Sequence, residues 1–195
     1  MRLSSRFQTR AATALLLVVS ACGVEADPFV SDAEALACEP GVATIFPALA
    51  TRAGPPAVST GEVPHPQIDA ESTPELIQEL TERMFSLSIL DQRPTVLAIA
   101  GTALWLTEDI PLSRPECVPG VREFAHIHID GSMHTVLPHG RVEEAVAAGW
   151  ADPHPFAGVR PGFETFVLLF TPRSSEEIDV MFQLIVEAIN FITGG

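Results

Sequence analysis

Apolar residues recur along this chain with two periods, and the changes between them mark out its elements. Leu76, Ile77, Leu80, Met84 and Phe85 line one helical face behind Thr73-Pro74, a capping residue followed by one that suits the first helical turn. The spacing predicts a helix from there to about Leu87. Thr95 to Leu106 is a strand-like apolar stretch broken by Gly101, and Ala103 to Leu106 is its best strand. Pro111, Pro115 and Pro119 make a loop of the segment that follows. Phe124 to Ile129 and Met133 to Leu137 alternate with period two around Asp130-Gly131, which predicts a hairpin. Arg141 to Trp150 returns to helical spacing, 152–162 is a Pro-rich loop, and Phe163 to Phe170 is an apolar strand stopped by Pro172. Ser174-Ser175-Glu176-Glu177 opens a last helix with acids at its positive end, and Ile178, Met181, Phe182, Ile185, Ile189 and Ile192 form its buried face. The order is helix, strand, hairpin, helix, strand, helix. It predicts an α+β domain: a small antiparallel sheet with the hairpin at its centre and helices packed on one face.

Ahead of residue 72 this patterning stops. Residues 23–38 suit a short amphipathic turn or helix. Between Glu39 and Ala70, Pro and Gly recur at Pro40, Gly41, Pro47, Gly54, Pro55, Pro56, Gly61, Pro64 and Pro66, which reads as a tether or an extended arm. The first residues have a different layout. Arg2, Arg6 and Arg10 precede the apolar run Ala11 to Val19 and then Val19-Ser20-Ala21-Cys22. That run is shorter than the roughly 20 residues a bilayer-spanning helix needs, and the arrangement is that of a cleaved secretion signal. An aliphatic residue, two small residues and Cys resemble the lipobox of bacterial lipoproteins, in which the Cys is lipidated and becomes the new N-terminus. The other reading is an ordinary signal cut after Ala26. The expected organisation is a signal peptide at 1–21, a lipidated start and tether at 22–71, and a folded domain at 72–195. Its expected place is the cell envelope, lipid-anchored at the outer membrane or on the outer face of the cytoplasmic membrane.

Composition narrows the chemistry. The net charge is −14, with 11 Arg and no Lys. Three of the arginines precede Cys22, so the rest of the chain sets eight Arg against 25 acids. Such a surface repels nucleic acid, because no basic patch can supply phosphate contacts. Without Lys or Tyr there is neither a Schiff base nor a phenolic acid or base. With Cys22 lipidated, Cys38 and Cys117 remain as a pair in an oxidising compartment, either bridged or as two buried thiols. A bridge closes about 80 residues and stabilises by about 4 kcal/mol in the chain-entropy model.

The hairpin carries the candidate chemistry. His126, His128 and His134 alternate through it. A two-residue loop at Asp130-Gly131 puts His134 on the face opposite the other two. A three-residue loop, Asp130-Gly131-Ser132, puts His128 across from His134. It gathers His126, His128, His134 and Val136 on one face, with Ala125, Ile127, Ile129, Met133, Thr135 and Leu137 on the other. The second register is favoured because it separates polar from apolar residues. Three readings of the cluster stand: a site for a transition metal held by His126, His128 and His134, a metal-free acid–base pocket, or a half-exposed face that merely tolerates His.

Three further strings bring in a resemblance. Arg122-Glu123-Phe124-Ala125-His126-Ile127-His128, then Gly149-Trp150-Ala151-Asp152-Pro153-His154-Pro155-Phe156-Ala157-Gly158, then Thr171-Pro172-Arg173-Ser174-Ser175-Glu176-Glu177 and the closing helix resemble the domain of fungal luciferases, in the same order. The likeness runs from about Trp105 to Thr193, and the middle string is its most specific part. It implies a small domain that, in the fungal enzymes, oxidises a hydroxylated styryl-pyrone with O2 and requires no organic cofactor.

On this footing His126 and His128 are the expected centre, as base and as orienting partner or ligand, with His134 facing them. His154, held between two prolines, is expected to close the pocket and bind an anionic enolate when protonated. Arg173 is a candidate anion partner, or else pairs with Glu176 or Glu177. Trp150 and Phe156 are candidates for stacking on a flat substrate, or else core. Asp130 serves the turn, and His65, in the expected tether, has no assigned role. No G-x-S-x-G elbow is present, which argues against a Ser hydrolase. The expected function is an envelope lipoprotein acting as a cofactor-independent oxygenase on an enolisable aromatic or pyrone-like small molecule. The alternative is a non-catalytic lipoprotein that binds a small ligand or metal. Expected partners are that small molecule and, through the lipid, a membrane.

Overall fold

A computed structural model describes residues 37–41 and 46–195. The expected signal peptide, the lipidation residue Cys22 and nearly all of the expected turn or helix at 23–38 lie outside the described residues. Among the described residues no helix is long and apolar enough to cross a membrane.

The chain runs α1 (Pro74–Met84), β1 (Leu90–Pro94), β2 (Thr102–Leu106), β3 (Glu123–Ile127), β4 (Met133–Val136), α2 (His139–Ala147), β5 (Ala151–Pro153), β6 (Phe166–Leu169) and α3 (Ser175–Thr193). The strands form one antiparallel sheet in the order β1-β2-β3-β4-β6-β5, so the His hairpin β3-β4 is its central pair. This is the expected small α+β fold. The helices start where their caps stand: Thr73 Oγ1 accepts from the Leu76 N–H, and Ser174 Oγ accepts from the Glu177 N–H. Leu80 and Met84 of α1 and Ile178, Leu184 and Ile185 of α3 are buried in one cluster with Ala125, Ile127 and Met133 of the hairpin. Between α2 and α3, Arg141 is buried and donates twice to Glu187, Nε and Nη2 each at 2.7 Å, while its Nη1 reaches Glu144 and the Pro47 carbonyl.

Two strands went unforeseen, β1 and β5, and both are edges. Each is short or polar, each ends in a proline, and neither has the apolar run of a central strand.

The hairpin register differs from the one favoured above. His126 pairs with His134 and Ile127 with Met133, and the His128 N–H bonds the Ser132 carbonyl. The loop is therefore Ile129-Asp130-Gly131, one residue earlier than expected. The reason is the left-handed position that closes such a loop. Gly131 occupies it at φ 82, where Ser132 would be strained. The shift keeps all three imidazoles on one face but sets His134 opposite His126 rather than His128. It also places Ile129 in the loop, 81% exposed, instead of in the core.

The Pro/Gly-rich stretch, over its described part from residue 46, is an arm packed on the domain. The Arg52 N–H bonds the Ala148 carbonyl, and the Arg52 guanidinium reaches the Thr171 carbonyl at 2.6 Å and Glu177 at 2.7 Å. Gln67 Oε1 accepts from the Thr171 N–H, and Trp150 Nε1 donates to the Ala50 carbonyl. Proline and glycine remove regular structure and leave the arm's polar groups unpaired, and here the domain supplies both acceptors and donors for them. The folded unit thus begins well before residue 72. The Cys38–Cys117 disulfide is formed and fastens the chain still farther upstream.

Candidate functional site

The sheet face away from the helices carries a cluster of five imidazoles. His126 and His134 face each other across β3 and β4, and His128 follows just beyond β3. Their ring centroids are 4.8–5.1 Å apart. His154, at the end of β5, stands 5.0 Å from His134, and His65 of the arm stacks on His134 at 5.3 Å. Phe166 of β6 stacks on His134 from the sheet side, also at 5.3 Å. These groups line a cavity of about 710 Å³ walled by Phe156, Phe163, the arm residues 63–66 and the segment 97–100. Among the described residues none of those lining it belongs to a helix. Val63, Ile99 and Ile129 at its edge are exposed apolar side chains, 52%, 94% and 81% accessible.

Hydrogen bonds fix most of the tautomers. His126 Nδ1 lies 3.0 Å from the buried carboxylate of Glu123, so it donates there, and the neutral ring turns Nε2 inward as an acceptor. Glu123 is itself held by the Thr95 hydroxyl and the Val96 N–H, both at 2.6 Å. Simple alternation would put Glu123 on the helix side. A bulge between β2 and β3 pairs it instead with Trp105, on the same face as His126. Ser132 gives its hydroxyl proton to Asp130 at 2.7 Å, so His128 Nδ1 donates to Ser132 Oγ at 2.9 Å and His128 Nε2 is also bare. His154 is the reverse case. Its Nδ1 accepts the Phe156 N–H at 3.1 Å, so the neutral ring presents Nε2–H to the cavity.

The remaining contacts form a chain. His126 Nε2 is 3.2 Å from His134 Nδ1, and His134 Nε2 is 3.2 Å from His65 Nδ1. His65 Nε2 is 3.3 Å from the Asp152 carboxylate, which also accepts from the Ser59 hydroxyl. Burial is the leading cause of every resolved pKa shift here, because an imidazolium loses solvation. His128 and His154 are each lowered to about 4, with neighbouring imidazoles adding to the effect. His134 is lowered well below its ordinary value by the same causes, and His65 is lowered against the opposing pull of Asp152. These four rings are neutral at pH 7.

Of the residues singled out by sequence, the structure gathers His126, His128, His134, His154 and Phe156. It takes Trp150 and Arg173 elsewhere. Trp150 is buried against the arm, with the Arg52 guanidinium 5.5 Å from its ring centre. The Arg173 side chain bonds the Ala53 and Pro55 carbonyls, and only its backbone N–H reaches Glu177. Glu123, His65, Ser132 and Asp152 went unassigned as site residues. For His65 a signal was present: Pro64-His65-Pro66 repeats the frame of Pro153-His154-Pro155. Among the described residues two triads have nitrogens close enough to share a metal, His126-His128-His134 and His65-His134-His154, each within 4.8 Å.

Comparison with known proteins agrees with this picture. Residues 121–188 match the family model of the luciferase domain. Over 102 residues the chain is 33% identical to a protein named luciferase from Armillaria ostoyae, covering 47% of this chain and 38% of that protein. The matched part thus spans well under half of the relative's length. No solved structure matches the chain. Four of the five clustered histidines fall within the matched family region, and His65 of the arm lies outside it. The part of the chain similar to the luciferase domain therefore includes the hairpin and most of the histidine cavity on the open face of the sheet.

Proposed function

We propose that the cavity binds a flat, enolisable aromatic or pyrone-like molecule as its anion and brings it to reaction with O2. The observation that carries this reading is the pairing of opposite polar groups inside walls that are apolar save for Arg160 and Asp130. His126 and His128 present bare Nε2 atoms on the floor, and His154 presents Nε2–H from the side. An acidic ring hydroxyl lying on the floor hydrogen-bonds to His128 Nε2, and His154 Nε2–H holds the oxyanion left when that hydroxyl ionises to solvent. That hydrogen bond needs no imidazolium, so it survives at pH 7 despite the lowered pKa of His154. Phe156, Phe163 and Phe166 offer stacking surfaces for a planar ring. An electron-rich anion in an apolar cavity is what reaction with O2 requires, and a relative named luciferase supports that direction.

The test is oxygen consumption by the full chain with hydroxylated 2-pyrones and phenols. Uptake should be saturable, abolished in His128→Ala and weakened in His154→Phe. Compounds that bind without oxygen uptake would leave a ligand-binding protein in place of an oxygenase. Neither binding nor uptake would remove both.

We also infer that the domain works in the cell envelope, anchored by a lipid on Cys22. The Cys38–Cys117 disulfide supports an oxidising compartment. Incorporation of a labelled fatty acid into the wild type and not into Cys22→Ala is the expected result, and equal labelling would refute it.

A further inference from the structure

With its three imidazoles in their neutral forms, the chain of contacts from Glu123 to Asp152 holds one proton fewer than it has gaps. It has four gaps: Glu123–His126, His126–His134, His134–His65 and His65–Asp152. Three neutral imidazoles bring three N–H protons. The carboxylates at the two ends claim one each, from His126 Nδ1 and His65 Nε2. His134 has a single proton left for the two inner gaps. One of those gaps therefore sets two nitrogen lone pairs face to face at 3.2 Å. Buried lone pairs in that position are unfavourable unless a cation lies between them.

The two inner gaps are not equivalent. Beside the His134–His65 gap stands His154, whose Nε2 carries hydrogen because its Nδ1 is taken by the Phe156 N–H. It has no lone pair to give. Beside the His126–His134 gap stands His128, whose Nε2 is bare. From this difference we infer that His126 Nε2, His128 Nε2 and His134 Nδ1 bind a divalent first-row transition metal, with Glu123, Ser132 and His65 as the groups that orient the three rings.

With the ion in that gap the proton count closes. His134 gives its one proton to His65 Nδ1, His65 gives its own to Asp152, His126 bonds Glu123, and His128 bonds Ser132. Each ligand ring then donates its second nitrogen to a partner, which is the usual support of a metal-binding histidine. The 3.2 Å between His126 Nε2 and His134 Nδ1 is close to the roughly 3.3 Å that separates two nitrogens bound at about 2.0–2.1 Å on a tetrahedral ion. Three protein ligands leave a position open toward the cavity, as in catalytic sites. Imidazole ligands suit Fe, Cu, Zn or Ni, all of borderline softness.

The metal goes beyond the oxygenase reading and does not rest on it. If both hold, the ion takes over from His128 the task of favouring the deprotonated substrate hydroxyl.

The test uses the full chain, purified in mild detergent without chelator or affinity tag. Elemental mass spectrometry should find close to one transition-metal ion per chain. After stripping with chelator, titration with Co(II) should saturate at one equivalent with the strong visible absorption of a low-coordinate site. The His126→Ala/His128→Ala variant should lose both signals, while His154→Phe should keep them. A folded wild type that neither carries metal nor takes up Co(II) would overturn the inference. So would metal retained in the double variant, or lost only in His154→Phe, which would move the site to the other triad. Should the double variant fail to fold, Co(II) uptake by the wild type and by His154→Phe still decides the matter. Metal bound without oxygen uptake would refute the oxygenase and spare the metal site. Oxygen uptake by chain unable to bind metal would do the opposite.

Discussion

The two faces of the sheet are made by the same strands under opposite rules. Toward the helices, Ala125, Ile127 and Met133 meet Leu80, Met84 and Ile185, and apolar volume alone satisfies them. Toward the cavity, His126 and His134 alternate with those same residues, and every ring nitrogen needs a stated partner. Some of those partners are remote in sequence: His65 is 69 residues from His134, and Asp152 is 87 residues from His65. The helix face needs only approximate shapes, because burial is non-directional. The cavity face needs particular atoms, so it recruits an arm that the core does not require. Stability and function should therefore separate by face.

The largest effect is expected where α2 and α3 share a deeply buried charge pair. Arg141→Ala leaves the Glu187 carboxylate buried between α2 and α3 with Gln183 as its remaining donor, and should cost about 3–5 kcal/mol in denaturant unfolding. Co(II) uptake by the fraction still folded should be unchanged. A cost below about 1 kcal/mol, or loss of metal from folded protein, would break the division between faces.

Next in size is the disulfide. Cys38→Ser/Cys117→Ser opens a loop with a sequence separation of 79 and should cost about 2–4 kcal/mol. The arm has its own attachments at Arg52 and Gln67, so His65 should stay in place and metal uptake should persist. Loss of uptake at full helical content would show that the arm depends on the bridge.

The sequence made the helix face legible and the cavity face only half so. Periodicity located α1, α3 and the hairpin because each has an apolar stripe to bury. It passed over β1 and β5, whose edge positions demand no stripe. It placed three imidazoles on one face, since parity survives an error of one residue in where the loop begins. It could not find Glu123, because a bulge breaks the alternation on which the reading depended. Nor did it find His65, because Pro and Gly signal the absence of regular structure and are silent on whether an extended segment is docked.

A smaller effect tests the register. Gly131 sits at φ 82, and a Cβ there would meet Thr171 Oγ1 at 2.7 Å and Ile77 Cγ1 at 2.9 Å. Gly131→Ala should cost about 1–3 kcal/mol through backbone strain and crowding together. Because the turn fixes which histidines oppose each other, the variant should also blunt the Co(II) spectrum. A neutral substitution would mean that the loop is set elsewhere.

The smallest effect is the most discriminating, because it isolates the arm's contribution to the cavity. His65 touches no proposed metal position. It takes a proton from His134 Nε2 and passes the polarity on to Asp152, so its effect on the metal must run through His134. His65→Ala should weaken Co(II) binding by about tenfold, the low end for loss of an orienting partner, and leave the shape of the visible spectrum intact. His65→Gln, whose amide oxygen can accept from His134, should recover part of that loss. Asp152→Asn should act in the same direction more weakly, because the carboxylate is one ring farther from the ion. A merely structural role for His65 predicts instead equal losses in Ala and Gln and a matching fall in the unfolding midpoint. A changed spectrum would make His65 a ligand itself and move the ion to the gap between His134 and His65. Unchanged affinity would mean that the arm covers the cavity without tuning it, leaving β3 and β4 to build the site alone.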